Sequence, residues 1–313
     1  MKNKLAPIFG LSAVLLSGYA SAQDFHVSDS FGLRTALADA AVNREDNTIY
    51  LAPGTYKTTA DFGGTFKYSE LGGAQDLTIY GVDRDSVILD GDGFSDVLDI
   101  AGSSTDRVTL ENITIQNGLR GVSFSGAIGI VKNSVVQNNT LAVYPNGAGI
   151  YASYRLILES TLVKGNHLIF GSSSRGAGVY SSRSLTMKDT EISGNQITGV
   201  GANYYGAGLY TLGYLESDSS VVMDNTITTS GEFADAQGGG IFAYEGVDLW
   251  NTVVSGNKIV GPYRAYGAGV YTSRASSAQQ KVVNSRIEAN LFVDNGTAGG
   301  SSRYQGAGFY SAV

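Results

Sequence analysis

Short runs of alternating apolar and polar residues fill most of the chain, and Gly, Asn, Asp or Ser separates them. Residues 185–187, 190–192 and 196–198 show the pattern well, with polar turn residues between the runs. Alternation with period two is typical of β-strands, and this repeat has no apolar residues at helical spacing. The pattern predicts three short strands per repeat, followed by a polar loop that leads into a glycine-rich strand.

Two motifs recur in step through the second half of the chain. The first is Gly-Ala-Gly-aliphatic-Tyr, with variants, at 147–151, 176–180, 206–210, 238–242, 267–271 and 306–310. The second is an aliphatic residue, two variable positions and an asparagine, at Asn139, Asn166, Asn195, Asn225, Asn257 and Asn290. Three strands in about 30 residues, stacked about 4.8 Å apart, form one coil of a parallel β-helix. The sequence therefore predicts an all-β solenoid.

The alternation assigns the residues of the glycine-rich strand to two faces. It places Ala148, Ile150 and Ala152 inside the solenoid, and it places Gly147, Gly149 and the aromatic residue outside. We call the resulting column the aromatic ladder: Tyr151, Tyr180, Tyr210, Phe242, Tyr271 and Tyr310. Flat rings beside a trough of bare glycine backbone form a candidate binding face for a carbohydrate. Rings that simply stack on each other explain the pattern without any ligand.

The recurring asparagines have two interpretations as well. They could bind a ligand, but identical amides at strand spacing hydrogen-bond to each other, so we expect a structural asparagine ladder. Polar residues also precede the second strand of each repeat, and their side chains can bond nearby backbone at a sharp corner. These corner residues are Asn112, Asn133, Ser160, Asp189, Ser219, Asn251 and Asn284.

The N-terminus has the features of a Sec-type signal peptide at 1–22. Lys2 and Lys4 precede an apolar segment at 5–16, and Ala20 and Ala22 suit a cleavage site before Gln23. The apolar segment is too short to span a membrane, and no later segment is long enough. We expect an exported protein, located extracellularly or at the cell outer membrane surface of a Gram-negative bacterium.

The remaining residues, 23–313, are predicted to form a single β-helix domain in three sections. Residues 23–76 form an N-terminal cap and first coil, 77–139 form degenerate coils, and 140–313 carry the glycine-rich repeats. Ser30 is predicted to cap a short helix that covers the open edge of the first coil. Its apolar face would comprise Leu33, Ala36, Leu37, Ala40 and Ala41. The first strand and turn would then lie at 48–56.

Composition narrows the possible functions. The chain has no Cys, so a disulfide scaffold is excluded although export is expected. A net charge of −7 argues against a nucleic-acid partner, which needs a basic face. The two His residues lack the spacing of metal ligands. No cofactor is predicted.

Two family resemblances follow from these motifs. The helix, residues 49–56 and residues 88–91 resemble the N-terminal part of pectin-lyase-like right-handed parallel β-helix proteins. The later repeats are similar to those of the polymorphic outer membrane protein family, although Gly-Ala-Gly replaces Gly-Gly-Ala and Val or Ile replaces Phe. The resemblance implies a right-handed parallel β-helix for nearly all of 23–313. It leaves activity open, because this superfamily includes lyases, hydrolases and adhesins.

Candidate chemistry is sparse. The chain lacks the Asn-Thr-Asp, Asp-Asp, Gly-His-Gly and Arg-Ile-Lys motifs of polygalacturonase-like hydrolases. The densest acidic group could bind Ca²⁺, but its first part is explained more simply as a turn. It consists of Asp90, Asp92, Asp96 and Asp99. A polysaccharide lyase needs a basic residue and a cation, and candidates flank the repeat strands at Arg155, Arg183, Arg274, Arg175, Arg264 and Arg303.

The leading expectation is a non-catalytic binding face of the adhesin or passenger-domain type, with a polysaccharide or cell-surface component as partner. The alternative is a lyase, or else a hydrolase, that acts on an acidic polysaccharide; a purely structural stalk is third. Acidic residues beside an Arg or Lys in one groove would favour the enzyme, and an unbroken face of Tyr and Gly would favour binding or structure. The open edge after the last repeat is expected to meet a partner or a further domain.

Overall fold

A computed structural model describes residues 22–70, 72–73, 75–169, 173–201, 203–230, 234–274, 280–294 and 303–312. Apart from Ala22, the predicted signal peptide lies outside the described residues. The strands form a parallel β-solenoid in which equivalent residues of successive coils are in register, for example Tyr151 beside Tyr180. This architecture confirms the predicted all-β solenoid with one short helix near its N-terminus.

Three sheets run the length of the solenoid. Sheet A consists of β1 Gln23–Val27, β2 Asn47–Leu51, β5 Leu77–Gly81, β8 Arg107–Glu111, β11 Ile128–Lys132, β15 Leu156–Glu159, β20 Leu185–Lys188, β25 Tyr214–Asp218, β30 Gly246–Trp250 and β35 Gln280–Val283. Sheet B consists of β3 Gly54–Lys57, β6 Val87–Asp90, β9 Thr114–Gln116, β12 Val135–Gln137, β16 Leu162–Lys164, β21 Glu191–Ser193, β26 Val221–Met223, β31 Val253–Ser255 and β36 Arg286–Glu288. Sheet C consists of β4 Phe66–Ser69, β7 Leu98–Ala101, β10 Val122–Ser125, β14 Ile150–Ala152, β19 Val179–Ser181, β24 Leu209–Thr211, β29 Ile241–Ala243, β34 Val270–Thr272 and β39 Phe309–Ser311.

Two further sheets are inserted between sheets B and C in the later coils. Sheet D consists of β13 Thr140–Leu141, β17 His167–Ile169, β22 Gln196–Gly199, β27 Thr226–Thr229, β32 Lys258–Val260 and β37 Leu291–Val293. Sheet E consists of β18 Ser173–Arg175, β23 Asn203–Tyr205, β28 Asp235–Gln237, β33 Arg264–Tyr266 and β38 Arg303–Gln305. The prediction of three strands leading into the glycine-rich strand was therefore one strand short in these coils. The loop expected to be irregular forms the strands of sheet E, because the loops pair with each other from coil to coil.

The N-terminal cap differs from the prediction in two details. Strand β1 precedes helix α1 (Ser30–Ala40) and pairs with β2, so the first strand is not the one predicted at 48–56. Asp29 rather than Ser30 caps the helix, since its Oδ1 accepts a 2.7 Å hydrogen bond from the Gly32 N–H. The Ser30 hydroxyl instead accepts a hydrogen bond from the Lys57 N–H. The predicted apolar face of the helix is buried.

Left-handed residues form the sharp corner between sheets A and B. All seven predicted corner residues have φ between +42° and +57°, a conformation that Asn and Asp adopt more readily than most residues. The expected bond from the corner side chain is not what closes the turn, however. At six of the seven corners the hydroxyl of the next residue does this: Thr190 Oγ1, for example, donates to the Lys188 carbonyl.

These hydroxyls form a buried ladder that the sequence did not lead us to expect. Thr190 Oγ1 also accepts a bond from the Thr161 N–H of the preceding coil, and the Thr190 N–H donates to the Ser220 hydroxyl. Ser134 and Ser285 play the same part for Ile113 and Thr252. Each hydroxyl thus satisfies buried backbone groups of two coils.

The asparagine ladder divides the interior into two apolar lobes. Asn195 is fully buried; its Oδ1 accepts bonds from Asn166 N and Nδ2, and its Nδ2 donates to Asn225 Oδ1 and the Val163 carbonyl. The main lobe lies under sheets A, B and C and contains the aliphatic residue of each motif. The smaller lobe contains the apolar residues of sheets D and E and the central Ala of the motifs.

Candidate functional site: the groove and its polar head

The rings of the aromatic ladder stack face to face outside sheet C. Adjacent ring centroids are 4.8–5.5 Å apart, and the ring planes are inclined by 2–17°. The four interior rings, at Tyr180, Tyr210, Phe242 and Tyr271, are only 4–8 % exposed. Both faces of each interior ring are covered by its neighbours, which leaves no face open for a sugar ring.

Outward side chains of sheet E cover the ladder from the side. The Tyr205 ring lies 5.1 Å from Phe242, and the Tyr266 ring lies 5.1 Å from Tyr310. The Arg175 guanidinium lies over Tyr205 and Tyr210. Outward side chains of two sheets can touch only where the surface is concave, so sheets E and C form the two walls of a long groove.

The prediction of an exposed trough of glycine backbone is wrong. Gly147 and Gly149 are buried. The first Gly of each motif has φ between +56° and +65°, which turns the chain from sheet E into sheet C. A Cβ on Gly149 would lie 2.5 Å from the Gly178 carbonyl oxygen and 2.9 Å from Asn166 Nδ2. This second Gly therefore makes room for the next coil and for the asparagine ladder.

The groove changes character at its N-terminal end. The residues in register with Tyr151 on the three preceding strands are Ser123, Asp99 and Lys67. A cavity of about 410 Å³ opens there, lined by Asp96, Asp99, Arg120, Ser123, Tyr144 and Tyr151, among others. We call this end the polar head, and we call the six stacked rings that follow it the aromatic tail.

Arg120 holds the walls of the polar head together. Its Nε donates to the Gly147 carbonyl at 3.0 Å and its Nη2 donates to the Asn146 carbonyl at 3.1 Å. Its guanidinium lies 5.4 Å from the Tyr144 ring and 5.0 Å from the Tyr151 ring. With a side chain only 10 % exposed, Arg120 fixes the loop that carries Tyr144.

Asp96 is the other partner of Arg120. Its Oδ2 lies 3.6 Å from Arg120 Nη1, and its Oδ1 accepts a hydrogen bond from the Arg120 N–H. Burial raises the pKa of Asp96 despite the attraction of Arg120, and the Asp99 carboxylate adds to this rise. The polar head thus holds two interacting carboxyl groups in unequal environments, and unequal pairs suit acid and base roles. Phe94, two residues before Asp96, is 79 % exposed and has an open ring.

The four acidic residues proposed for Ca²⁺ are not brought together. Asp90 accepts bonds from the Gln116 and Asn117 side chains, and Asp92 pairs with Lys57 and Thr59. Asp90 and Asp92 form the predicted turn, in which Asp92 has φ of +52°. Within the described residues, no group of three or more His, Cys, Asp or Glu could hold a metal ion.

The six candidate arginines occupy three environments. Arg155 and Arg183 line a second cavity between sheets C and A, and Arg274 lies over the Tyr244 ring beside it. Arg175 belongs to the groove, where its guanidinium lies over the ladder ring of Tyr210. Arg264 forms a two-bond pair with Asp235, at 2.7 Å for each bond, and Arg303 is its neighbour in register.

The polar head was only partly visible in the sequence. The sequence shows the acidic cluster, but it does not connect Arg120 and Tyr144 with that cluster, because these residues lie 24 and 48 positions beyond Asp96. One signal was available: the position of the ladder residue becomes Ser123 and Asp99 when the register is continued toward the N-terminus.

The comparison with family models agrees with the architecture. The model of the right-handed β-helix region family matches residues 63–301, so the chain belongs to that family. No curated protein matches the chain. A solved structure of ORF18 from Geobacillus virus E2 is similar, with 13 % identity over 84 % of this chain and a TM-score of 0.32. The chain spans about 59 % of the length of that structure. Among the described residues, no helix is long and apolar enough to cross a membrane.

Proposed function

We propose that this protein is a secreted or cell-surface β-helix that binds an extended glycan at the polar head, in the manner of an adhesin or passenger domain. One observation carries the proposal: the outward column of sheet C changes from stacked rings to Ser123, Asp99 and Lys67, and the groove opens there into a cavity. The predicted signal peptide and the resemblance of the repeats to polymorphic outer membrane proteins support a location outside the cell.

The groups that remain open at the polar head suit sugar hydroxyls. Asp99 supplies carboxylate oxygens, Ser125 supplies a half-buried hydroxyl, and Lys67 is exposed beside Asp99. Hydrogen bonds that involve a charged partner are stronger than neutral ones. Because the interior rings of the aromatic ladder are buried, the proposed site lies at the end of the column where the rings stop.

Binding can be tested by affinity electrophoresis of the 23–313 chain in gels that contain neutral or acidic polysaccharides. Asp99→Asn should weaken binding about tenfold, since it removes a charged hydrogen-bonding partner. Asp85→Asn is the matched control, because Asp85 is an exposed carboxylate outside the groove. Equal retardation of both variants, or no retardation of the unaltered chain by any polysaccharide, would contradict the proposal.

The two carboxyl groups favour a second candidate function, hydrolysis of an acidic polysaccharide. Asp96, whose pKa is raised by burial, would act as the general acid and donate a proton to the glycosidic oxygen as that bond to the anomeric carbon breaks. Asp99 would take a proton from the water that forms the new bond to the same carbon. Arg120 is already bonded to two carbonyls and Asp96, so the base of a lyase would have to be Lys67. The polar head therefore supports a hydrolase better than a lyase.

Turnover separates the two candidates. New reducing ends from uronate-containing polysaccharides would indicate hydrolysis, and absorbance of unsaturated ends would indicate a lyase. Asp96→Asn and Asp99→Asn should each abolish hydrolysis, and Asp85→Asn should leave it unchanged. A chain that binds polysaccharide but releases no new ends would exclude the enzyme and retain the binding function.

A further inference from the structure

We infer a second ligand site, separate from the polar head, that binds a sugar residue bearing an anionic carboxylate or sulfate group. It occupies the corner where the chain passes from sheet C to sheet A, and we call it the corner groove. Its cavity of about 890 Å³ is lined by Tyr154, Arg155, Arg183, Tyr214, Tyr244 and Glu245, together with Ile128, Leu212 and small residues. The inference does not depend on the proposed function of the polar head.

Two cations are left without counter-ions at this corner. Arg155 and Arg183 are exposed and follow sheet C in successive coils. Neither forms an ion pair with any residue in the described ranges, whereas Glu159 and Asp248 on sheet A pair with Lys132 and Lys281. Among the described residues that line the cavity, Glu245 is the only acidic one, and Asp248 and Glu216 on sheet A lie near the Tyr214 hydroxyl. Two unpaired arginines thus line the corner groove against one lining carboxylate, on a chain whose net charge is −7.

Open aromatic rings accompany these cations. Tyr154 and Tyr214 are half-buried at the walls, and within the described part of the chain neither ring pairs with another ring. This differs from the aromatic tail, in which neighbours cover the ring faces. Arginine forks bind carboxylate and sulfate-like groups in two-bond geometry, and tyrosine combines an apolar ring with a hydroxyl. A charged pyranose offers the matching combination.

The floor of the corner groove consists of small residues that hydrogen bonds hold in place. Ser153 Oγ accepts a 2.8 Å bond from the Gly126 N–H, and the Ser182 hydroxyl donates to the Ser153 carbonyl. A Cβ on Gly213 would lie 2.6 Å from backbone atoms of Arg183, so this corner of the chain has no room for a side chain. Small residues fixed by hydrogen bonds keep the cavity open between the tyrosines, which pre-organises it for a ligand.

Calorimetry with three short oligosaccharide probes tests the site: an oligogalacturonate, a sulfated galactan fragment and a neutral galactan fragment. We expect a charged probe to bind and the neutral probe not to bind. The double variant Arg155→Gln/Arg183→Gln should lose at least about tenfold in affinity, because two charged hydrogen-bond donors are removed. Its matched control is Lys164→Gln/Lys258→Gln, which removes the same charge from exposed positions on sheets B and D.

Each result decides between the two sites. Loss in the arginine variant alone supports the corner groove, and the probe that binds distinguishes carboxylate from sulfate. Equal loss in both double variants would overturn the inference, because it would indicate a response to net charge only. Binding that Asp99→Asn abolishes and the arginine variant leaves intact would also overturn it, while retaining the proposed function of the polar head. Failure of both charged probes to bind would overturn the corner groove directly.

Discussion

The polar head and the aromatic tail are two parts of one column of residues on one sheet. Both parts have the same register and the same spacing between coils, since Lys67, Asp99 and Ser123 continue the line of Tyr151. In the tail, six rings stack and outward side chains of sheet E cover them. In the head, the rings are replaced by polar residues and a cavity remains. The regular repeats build and stabilise the solenoid, and the candidate chemistry lies where the repeat becomes degenerate.

Disruption of the asparagine ladder in the coils that carry the aromatic tail should have the largest effect on stability. Asn195→Ala leaves the Asn166 N–H buried without its partner and removes one hydrogen bond each from Asn166 Nδ2, Asn225 Oδ1 and the Val163 carbonyl. At about 1–3 kcal/mol for the orphaned group and about 1 kcal/mol for each other bond, the free energy of unfolding should fall by about 3–5 kcal/mol. Chemical denaturation measures this loss. Gln196→Ala, at the exposed next position, should cost less than about 0.5 kcal/mol; a similar loss in both variants would contradict the buried ladder.

Removal of one ring tests the tail against the head directly. Tyr210→Ala should cost about 3 kcal/mol of stability, because it leaves a gap and removes two stacking contacts. The affinity for the glycan should not change. Tyr144→Ala should do the reverse, since Tyr144 is 55 % exposed and lines the polar head. Denaturation and affinity electrophoresis measure the two effects; a loss of affinity in Tyr210→Ala at full stability would restore the ladder as a binding face.

The smallest expected effect concerns pH and lies in the N-terminal coils. Burial, together with the neighbouring Asp106 carboxylate, raises the pKa of Glu70 from 4.5 to about 7. A raised pKa in the folded state means that stability is fully present below pH 4.5 and is lost as the pH rises through about 7. The loss should be on the order of 1–2 kcal/mol.

Thermal unfolding between pH 4.5 and 8 can detect this dependence. Glu70→Gln should flatten the part of the pH profile that Glu70 causes. Glu216→Gln removes an exposed carboxylate on sheet A and should leave the profile unchanged. A profile that keeps its slope in Glu70→Gln would show that another group is responsible.

Much of the fold could be predicted because the same pattern recurs in each repeat. Alternation gave the inward residues of each strand, and the period gave the stacking of Tyr180 on Tyr151. The strands of sheet E could not be predicted, since their sequences share little beyond a central small or aromatic residue such as Ala236 or Tyr204. Those strands form because each one pairs with the backbone N–H and C=O groups of the equivalent strand in the neighbouring coil. The local sequence does not contain this information.

The candidate site was harder to predict for a related reason. Arg120 holds Asp96, Asn146 and Gly147 together through one side chain, and nothing in its local sequence marks it. The glycines were placed on the wrong face because period two was extended through Gly147, whose positive φ breaks the alternation. The pattern alone therefore does not predict contacts between unlike residues of different coils, or the glycines whose positive φ interrupts a strand.

The side-chain ladders give the solenoid a direction. The N–H of Asn166 is satisfied by Asn195, and the N–H of Asn195 is satisfied by Asn225, always in the following coil. The buried hydroxyls repeat this order, from Thr161 to Thr190 to Ser220. When a coil folds, its Asn side chain therefore accepts the hydrogen bond from the buried N–H of the preceding coil. Its own buried N–H has no partner until the following coil folds. Assembly that starts from the C-terminal side would satisfy each coil on arrival, so growth of the structure should be vectorial rather than equally easy from either end.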